Sequence, residues 1–469
     1  MELVISMKEN VTFSIGSVAL IDKVDAHYHL FNAVFDGVYP KAKDFKAYVK
    51  LLVHNRLTHC ISLNRLPDLC PEELFELLGF TDVVVQRSLY RDLERVGSKI
   101  EVFVNRYGSL VNKHGLVTNE QFIDFSSASF TGEKCPLAEL GYSREHQPGR
   151  KQITFGISTG INGVPTALTV QKGNVQDKKH FQTILNVVKR VLDPGSALVF
   201  DCGANTNANK KQILGLGFNY LTLVPKKRGP YKRFLHAWNT GEKTSCLMGG
   251  HEYVSTSFVE DQTNYYVFFS KDLEEDQLRK RGKRFERLLS KNEVKLRKVK
   301  RGKELEHFPT REGYVATKGT LQKALDKVRN PFITGLEGFF VLESSIATDS
   351  ESILRLYKER DRAEKLVRDL KEGTELRPMR HWSKNAVLGY LFVVFLTNCL
   401  TSLARVLTSF PLVKNVKLLK KYLMNLTVTF VYPRKAFRIA VLSNNSPETH
   451  AIFGDFLRKY GSFDLRLRW

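Results

Sequence analysis

Residues 196–201 read SALVFD, and this short stretch decides the fold. Ala197 to Phe200 run apolar without a polar break and stop at Asp201. A strand that is apolar on both faces belongs inside a sheet covered on both sides. The segment predicts an α/β arrangement with a carboxylate at a strand end.

The flanking sequence agrees. QFIDFSSASF (121–130), QITFGIST (152–159) and PTALTVQKG (165–173) read as strands, the last two joined through the Asn162–Gly163 turn. DKKHFQTILNVVKRVL (177–192) has helical period, with Val187, Val188 and Val191 on one side. ANKKQILGLG (208–217) reads as a helix stopped by glycine, and NYLTLVP (219–225) as another strand. Three strands, then helix, strand, helix, strand make a mixed sheet flanked by helices.

Further out the character changes. Residues 1–118 predict a mainly helical region, in which PEELFELLGF (71–80) and QRSLYRDLERVG (86–97) form two helices about Gly79–Phe80. That pair is either a helix-turn-helix presenting Arg87, Arg91 and Arg95 to DNA or part of a small bundle. Residues 119–225 form the first part of the core, and 226–337 interrupt it. There HEYVSTSFVEDQTNYYVFFSK (251–271) alternates like a long hairpin. A basic run follows: Arg279 to Arg301 carries twelve Lys/Arg against two Glu, with Arg284 near its middle. The core returns over 338–408 with GFFVLESS (338–345), and 409–469 forms a C-terminal region with two more strands in LTVTFVYPRKAFRIAVLS (426–443).

The chain has 469 residues, room for two to four domains, and a formal net charge of +23. Such a balance points to a polyanionic partner. No basic-then-apolar leader opens the sequence, so the cytoplasm is expected. The six cysteines form no C-x-x-C pair, which argues against a disulfide framework; His54, His59, Cys60 and Cys70 fit no standard zinc spacing. Residues 386–408 approach membrane-spanning length, but Thr397, Asn398, Thr401 and Arg405 make a buried core helix the expectation, with no membrane partner.

The carboxylates carry the chemistry. Asp124 lies mid-strand and Asp201 ends the buried strand, where open α/β sheets place their ligand sites. Each alone reads better as a loop cap or edge charge. In neighbouring strands they could share Mg²⁺ or Mn²⁺, which take hard oxygen donors. The charged segment YKERDRAEKLVRDLKEG (357–373) reads as one helix. At about 100° per residue, Tyr357, Arg360 and Lys371 project within roughly 40° of Glu364, at the border of its apolar side. Glu359, Asp361, Asp369 and Glu372 point toward water. Arg360–Glu364 reads either as an ordinary i,i+4 pair or as part of a phosphate-binding line.

Tyr357, Arg360, Glu364 and Lys371 match the spacing Tyr-x2-Arg-x3-Glu-x6-Lys. With FIDFSS (122–127), GYSREHQPGRKQITFGIS (141–158), GVPTALTVQKGNVQD (163–177) and LVFDCG (198–203), the sequence resembles the DDE transposases of bacterial and archaeal insertion sequences that carry a YREK signature. The resemblance runs from about residue 120 to 400. It implies a ribonuclease-H-like mixed sheet interrupted by a β-rich insertion domain, after a helical N-terminal region. It implies that Asp124, Asp201 and Glu364 bind two Mg²⁺ (or Mn²⁺) ions, and that Tyr357, Arg360 and Lys371 hold DNA. The implied partners are double-stranded DNA, as transposon ends and target, and a second copy of the chain, at the nucleoid. Some members stack a flipped base on an insertion-domain tryptophan, which makes Trp238 a candidate. Cys202 departs from the Arg or Ala that often follows the second aspartate.

Three other readings compete. VDAHYHLF (24–31) offers Asp25, His27 and His29 in an H-x-H pattern like that of amidohydrolases, but the later sequence lacks the barrel such enzymes need; a short N-terminal strand is expected there instead. A catalytically silent DNA-binding protein derived from a transposase, or a ribonuclease-H-fold nuclease that only hydrolyses, would keep the same acids.

Overall fold

The computed structural model describes residues 9–132, 134–142, 149–290, 332–376, 379–408, 416–434 and 437–463. The part of the basic run beyond residue 290, and residues 143–148 and 435–436 of the segments quoted above, lie outside them. The chain divides into two compact units, Met1–Asn219 with Glu359–Trp469, and Tyr220–Lys358.

The first unit opens with β1 (Val11–Ser14) and then helices α1 (Gly16–Tyr28), α2 (Leu30–Phe35), α3 (Phe45–Leu57), α4 (Leu66–Leu69), α5 (Glu72–Leu78), α6 (Gln86–Ser98) and α7 (Ile100–Lys113). The strand expected at residues 24–31 is not formed. That segment ends α1 and starts α2, because Val18, Leu20, Ile21, Val24 and Tyr28 turn one apolar side into the core. His29 takes the left-handed conformation between the helices, and the Phe31 N–H donates to Asp25 Oδ1 at 2.9 Å. Asp25 is a cap, and His27 and His29 face solvent. Of the loose His/Cys group, His54 is buried with Nδ1 2.7 Å from Ser17 Oγ, and Cys60 takes a hydrogen bond from Lys420.

The core sheet follows: β2 (Glu120–Ser129), β3 (Glu139–Leu140), β4 (Lys151–Gly160), β5 (Pro165–Lys172), α8 (Asp177–Val188), β6 (Ala197–Phe200) and α9 (Asn207–Gly215). β4 pairs antiparallel with β2, β3 and β5, while β6 pairs parallel with β2. Gly163, at φ 75°, makes the β4–β5 turn. The sheet is mixed and helix-flanked, as the sequence resemblance implies. On β2, Phe125 packs against His180 and Phe181 of α8, so alternation directs Asp124 to the opposite face.

The second unit carries β7 (Asn219–Leu223), α10 (Arg228–Thr240), β8 (Thr244–Met248), β9 (His251–Glu260), β10 (Thr263–Phe269), α11 (Lys271–Ser290), β11 (Phe339–Ser344) and α12 (Ser350–Lys358). Its strands pair antiparallel in the order β7-β11-β10-β9-β8. Tyr231, Phe234, Val267 and Val341 form its core.

The first unit resumes with α13 (Asp361–Arg368), a π turn (Asp369–Gly373), α14 (Lys384–Thr408), α15 (Val416–Asn425), β12 (Thr427–Arg434), β13 (Phe437–Ser443) and α16 (Pro447–Phe453). β1 pairs with β12 and β12 with β13, a separate antiparallel sheet. α14 is the one helix among the described residues long and apolar enough to cross a membrane, and 89% of that apolar window is buried. It lies along α6, where Gly97 and Gly389 let the backbones touch: a Cβ on Gly97 would sit 1.8 Å from Asn385 O, and one on Gly389 2.0 Å from Leu93 O.

Candidate active site

The strands set the first two acids. β6 is buried along its length and ends at Phe200, which pairs in register with Ile123 of β2. Asp124 and Asp201 each follow this last in-register pair, Asp124 still within β2 and Asp201 just past the end of β6. Adjacent strands lie about 4.8 Å apart, and residues in register share a face. The chain turns sharply after Asp201, whose Oδ1 accepts the Gly203 N–H at 2.9 Å.

The third acid comes from α13, which packs over β2 and β4. The single helix expected over 357–373 is in fact three pieces. α12 ends at Lys358, the Arg362 and Ala363 amides then bond back only three residues, to Glu359 and Arg360, and α13 starts at Asp361. After Arg368 the backbone widens into the π turn, where the Thr374 N–H reaches Asp369 O and the buried Thr374 hydroxyl takes a bond from Asn398. A constant 100° per residue fails across both breaks. Arg360 and Glu364 stay one turn apart, the Glu364 N–H reaching Arg360 O.

Arg360 ties the acids together. Its Nη2 binds Glu364 Oε1, and its Nη1 lies 3.6 Å from Asp124 Oδ1. Asp124 and Arg360 side chains are about one-sixth exposed, and Glu364 is half exposed. The Asp124–Arg360–Glu364 line is continuous through one guanidinium.

A fourth carboxylate escaped the sequence reading. Asp177 opens α8, and a Cβ placed on Gly203 would lie 2.7 Å from Asp177 Oδ2 and 3.1 Å from Asp201 Oδ1. A side chain at Gly203 would have to push the Asp177 carboxylate aside. The Cys202 thiol is pushed up by burial first, and by Asp201 and Asp177, against the opposing pull of Arg360. The available signal was the end of GNVQD, which delivers Asp177 to the first turn of a helix beside the sheet end. Asp369 also departs from expectation. It is not a charge on the wet side: burial pushes its carboxyl up to about 6, against the neighbouring Arg368 and Arg405.

The other candidates are placed as follows. Arg91 lies on the exposed side of α6 and donates to Ser88 Oγ, while Leu89, Leu93 and Val96 of the same helix are buried. Lys371 lies on the π turn. Within the second unit, Tyr357 ends α12. Trp238 of α10 packs edge-on to Phe339 at 5.2 Å with Lys243 over its ring. Arg284 of α11 stands 4.2 Å from the Phe332 ring centre.

Asp124 and Asp201 supply hard anionic oxygens of the kind Mg²⁺ or Mn²⁺ takes. Glu364 can join them only by leaving Arg360; as arranged, no three His, Cys, Asp or Glu side chains among the described residues form a metal-holding group. The donor chemistry fits a divalent cation, with Arg360 as the competing positive charge.

The family model described as transposase DDE domain matches residues 121–400, a span that contains Asp124, Asp201 and Glu364. No curated protein matches. Among solved structures, the cryo-EM structure of piggyBac transposase synaptic complex with hairpin DNA is similar with a TM-score of 0.41, at 11% identity over 87% of this chain and 76% of that one.

Proposed function

The chain belongs to the transposase DDE domain family, and from that premise we propose that it cuts DNA at the ends of a mobile element and joins the freed 3′-OH to target DNA. The reaction is two in-line displacements at phosphorus. In the first, water attacks, and the bond to the leaving 3′-oxygen breaks to give a 3′-OH. In the second, that 3′-OH attacks a target phosphodiester, whose own 3′-oxygen leaves.

Asp124 and Asp201 are the residues that would hold the divalent ions, with Glu364 once its bond to Arg360 opens. When bound, a pair of Mg²⁺ or Mn²⁺ ions supplies charge for the attacking and leaving oxygens. Arg360, released from Glu364, is then a permanent cation beside Asp124 that can meet a phosphate. Lys371, Tyr357, Arg91, Arg284 and Trp238 are the further proposed DNA contacts, and a dimer on DNA in the cytoplasm is the proposed working form. The YREK spacing is what supports assignment to the insertion-sequence group.

The observation that carries this reading is that Asp124 and Asp201 each follow the last in-register pair of the parallel strands β2 and β6, with Glu364 joined to Asp124 through Arg360. The test is cleavage and strand transfer of DNA carrying the sequences that flank the gene, in Mg²⁺. Activity in the parent and none in Glu364→Ala is expected. Unchanged cleavage by Glu364→Ala would falsify it. Cleavage without strand transfer would instead identify a hydrolytic nuclease.

A further inference from the structure

The first unit contains a cleft of about 780 Å³ away from the carboxylates, walled by the loop after α3, by α6 and by the segment leading into α14. Arg56, Tyr90, Arg380, His381, Trp382 and Tyr390 line it. We propose that this cleft takes one unstacked nucleotide of a DNA strand, its base on Trp382 and its phosphate on Arg56 and Arg380. The proposal rests on the reading of the chain as a DNA-acting protein and adds to it a second contact, remote from the cut.

Two observations point there. Arg56 is only 7% exposed, yet among the described residues no carboxylate reaches ion-pair distance of it. Its guanidinium donates to Tyr390 Oη at 2.9 Å and lies 5.2 Å from that ring's centre, contacts that leave its charge unneutralised. A buried cation without a counter-ion is costly, and an anion entering the cleft relieves that cost. Trp382, by contrast, is 70% exposed, with Lys134 Nζ 5.6 Å from its ring centre. An exposed indole beside cations is a surface on which any base can stack.

The remaining groups are consistent. The two lining acids are engaged: Glu375 pairs with Lys420 at 3.7 Å, and Glu94 accepts from Ser383 at 2.6 Å. His381 packs against Tyr390 at 4.7 Å with the rings tilted by 49°, and burial lowers its pKa to about 4, so it adds no charge at neutral pH. The cleft wall is also tied to the catalytic strand. Met379, just before Arg380, exchanges backbone bonds with Ser129 and Thr131 at the end of β2. Phe130 is six residues beyond Asp124, roughly 20 Å along a strand, which matches about six base-pair steps of a duplex.

The test is binding by the full chain carrying Asp124→Asn, in EDTA, so that it stands apart from cleavage. The probes are a single-stranded oligothymidylate of about twelve nucleotides, the same oligomer with abasic sites, and thymidine 5′-monophosphate. Oligothymidylate should quench a part of the tryptophan emission that Trp382→Phe lacks, and the abasic oligomer should bind without that quench. Trp382→Ala, at an exposed site, should weaken oligothymidylate about 5- to 100-fold and leave the abasic oligomer unchanged. Arg380→Ala should weaken both oligomers. Equal binding of the two oligomers by Trp382→Ala and its parent, or equal affinity for the monophosphate and the oligomer, would overturn the proposal.

Discussion

Arg360 holds its Nη1 3.6 Å from Asp124 Oδ1, with both side chains largely withdrawn from water. A guanidinium keeps its charge at any working pH, so a divalent ion must compete with it for Asp124 and Glu364. Arg360→Ala should therefore tighten Mn²⁺ binding, by about tenfold or ~1.4 kcal/mol, while lowering DNA cleavage. Calorimetric titration with Mn²⁺ checks the first effect. Unchanged or weaker Mn²⁺ affinity would remove the competition argument.

The proposed reactive role of Asp201 is separable from its mild structural one. Asp201→Asn keeps an oxygen for the Gly203 N–H and removes one of two acids crowded about Gly203. Cleavage should fall by about 10³-fold, ~4 kcal/mol of barrier, with the melting temperature held or raised. A variant that loses activity only because it unfolds, as circular dichroism would show, contradicts this separation of roles.

The α6–α14 crossing should be intolerant of any side chain. Gly97→Ala and Gly389→Ala each drive a methyl into backbone, at 1.8 and 2.0 Å. Overpacking of this kind costs about 1–3 kcal/mol or more. Urea unfolding should show midpoints well below the parent for both, and a shift of less than ~0.5 kcal/mol in either would mean that the helices separate freely.

Asp369 predicts a pH dependence of opposite sign to that of a paired acid. Its folded pKa, about 6, lies above the usual 3.8, so the folded state binds the extra proton. Its contribution to stability is fully present below the unfolded value and is lost as pH rises through about 6. Asp369→Asn should gain melting temperature relative to the parent between pH 4 and 7, most above 6. Parallel curves for the two proteins would show that the carboxyl titrates normally.

The sheet was legible because its signals are local. The apolar run ending at Asp201, the alternation around Asp124 and the Asn162–Gly163 turn each specify a strand or its end within ten residues. The broken helix was not legible: residues 357–373 contain no proline, and no glycine before Gly373, so periodicity alone cannot mark a change of pitch. The π turn is instead tied by a contact distant in sequence, Asn398 of α14 donating to Thr374. Asp177 was hidden for a similar reason. Its nearness to Asp201 depends on a loop closing on Gly203. The histidines of α1 misled because His29 marks a helix end rather than a strand, a distinction carried by one left-handed residue.

Among the described residues, β1 pairs with a strand far along the chain: Val11 to Ser14 bond to Thr427–Phe430. A ribosome adding roughly 5–20 residues per second needs on the order of 20–80 seconds to travel from one strand to the other. For that interval the first strand of a nascent chain has an open edge, and the helices after it lack α14, their apolar neighbour. Synthesis of this protein should therefore be sensitive to chaperone supply, and truncation before residue 427 should yield insoluble product whatever stands at Asp124, Asp201 and Glu364.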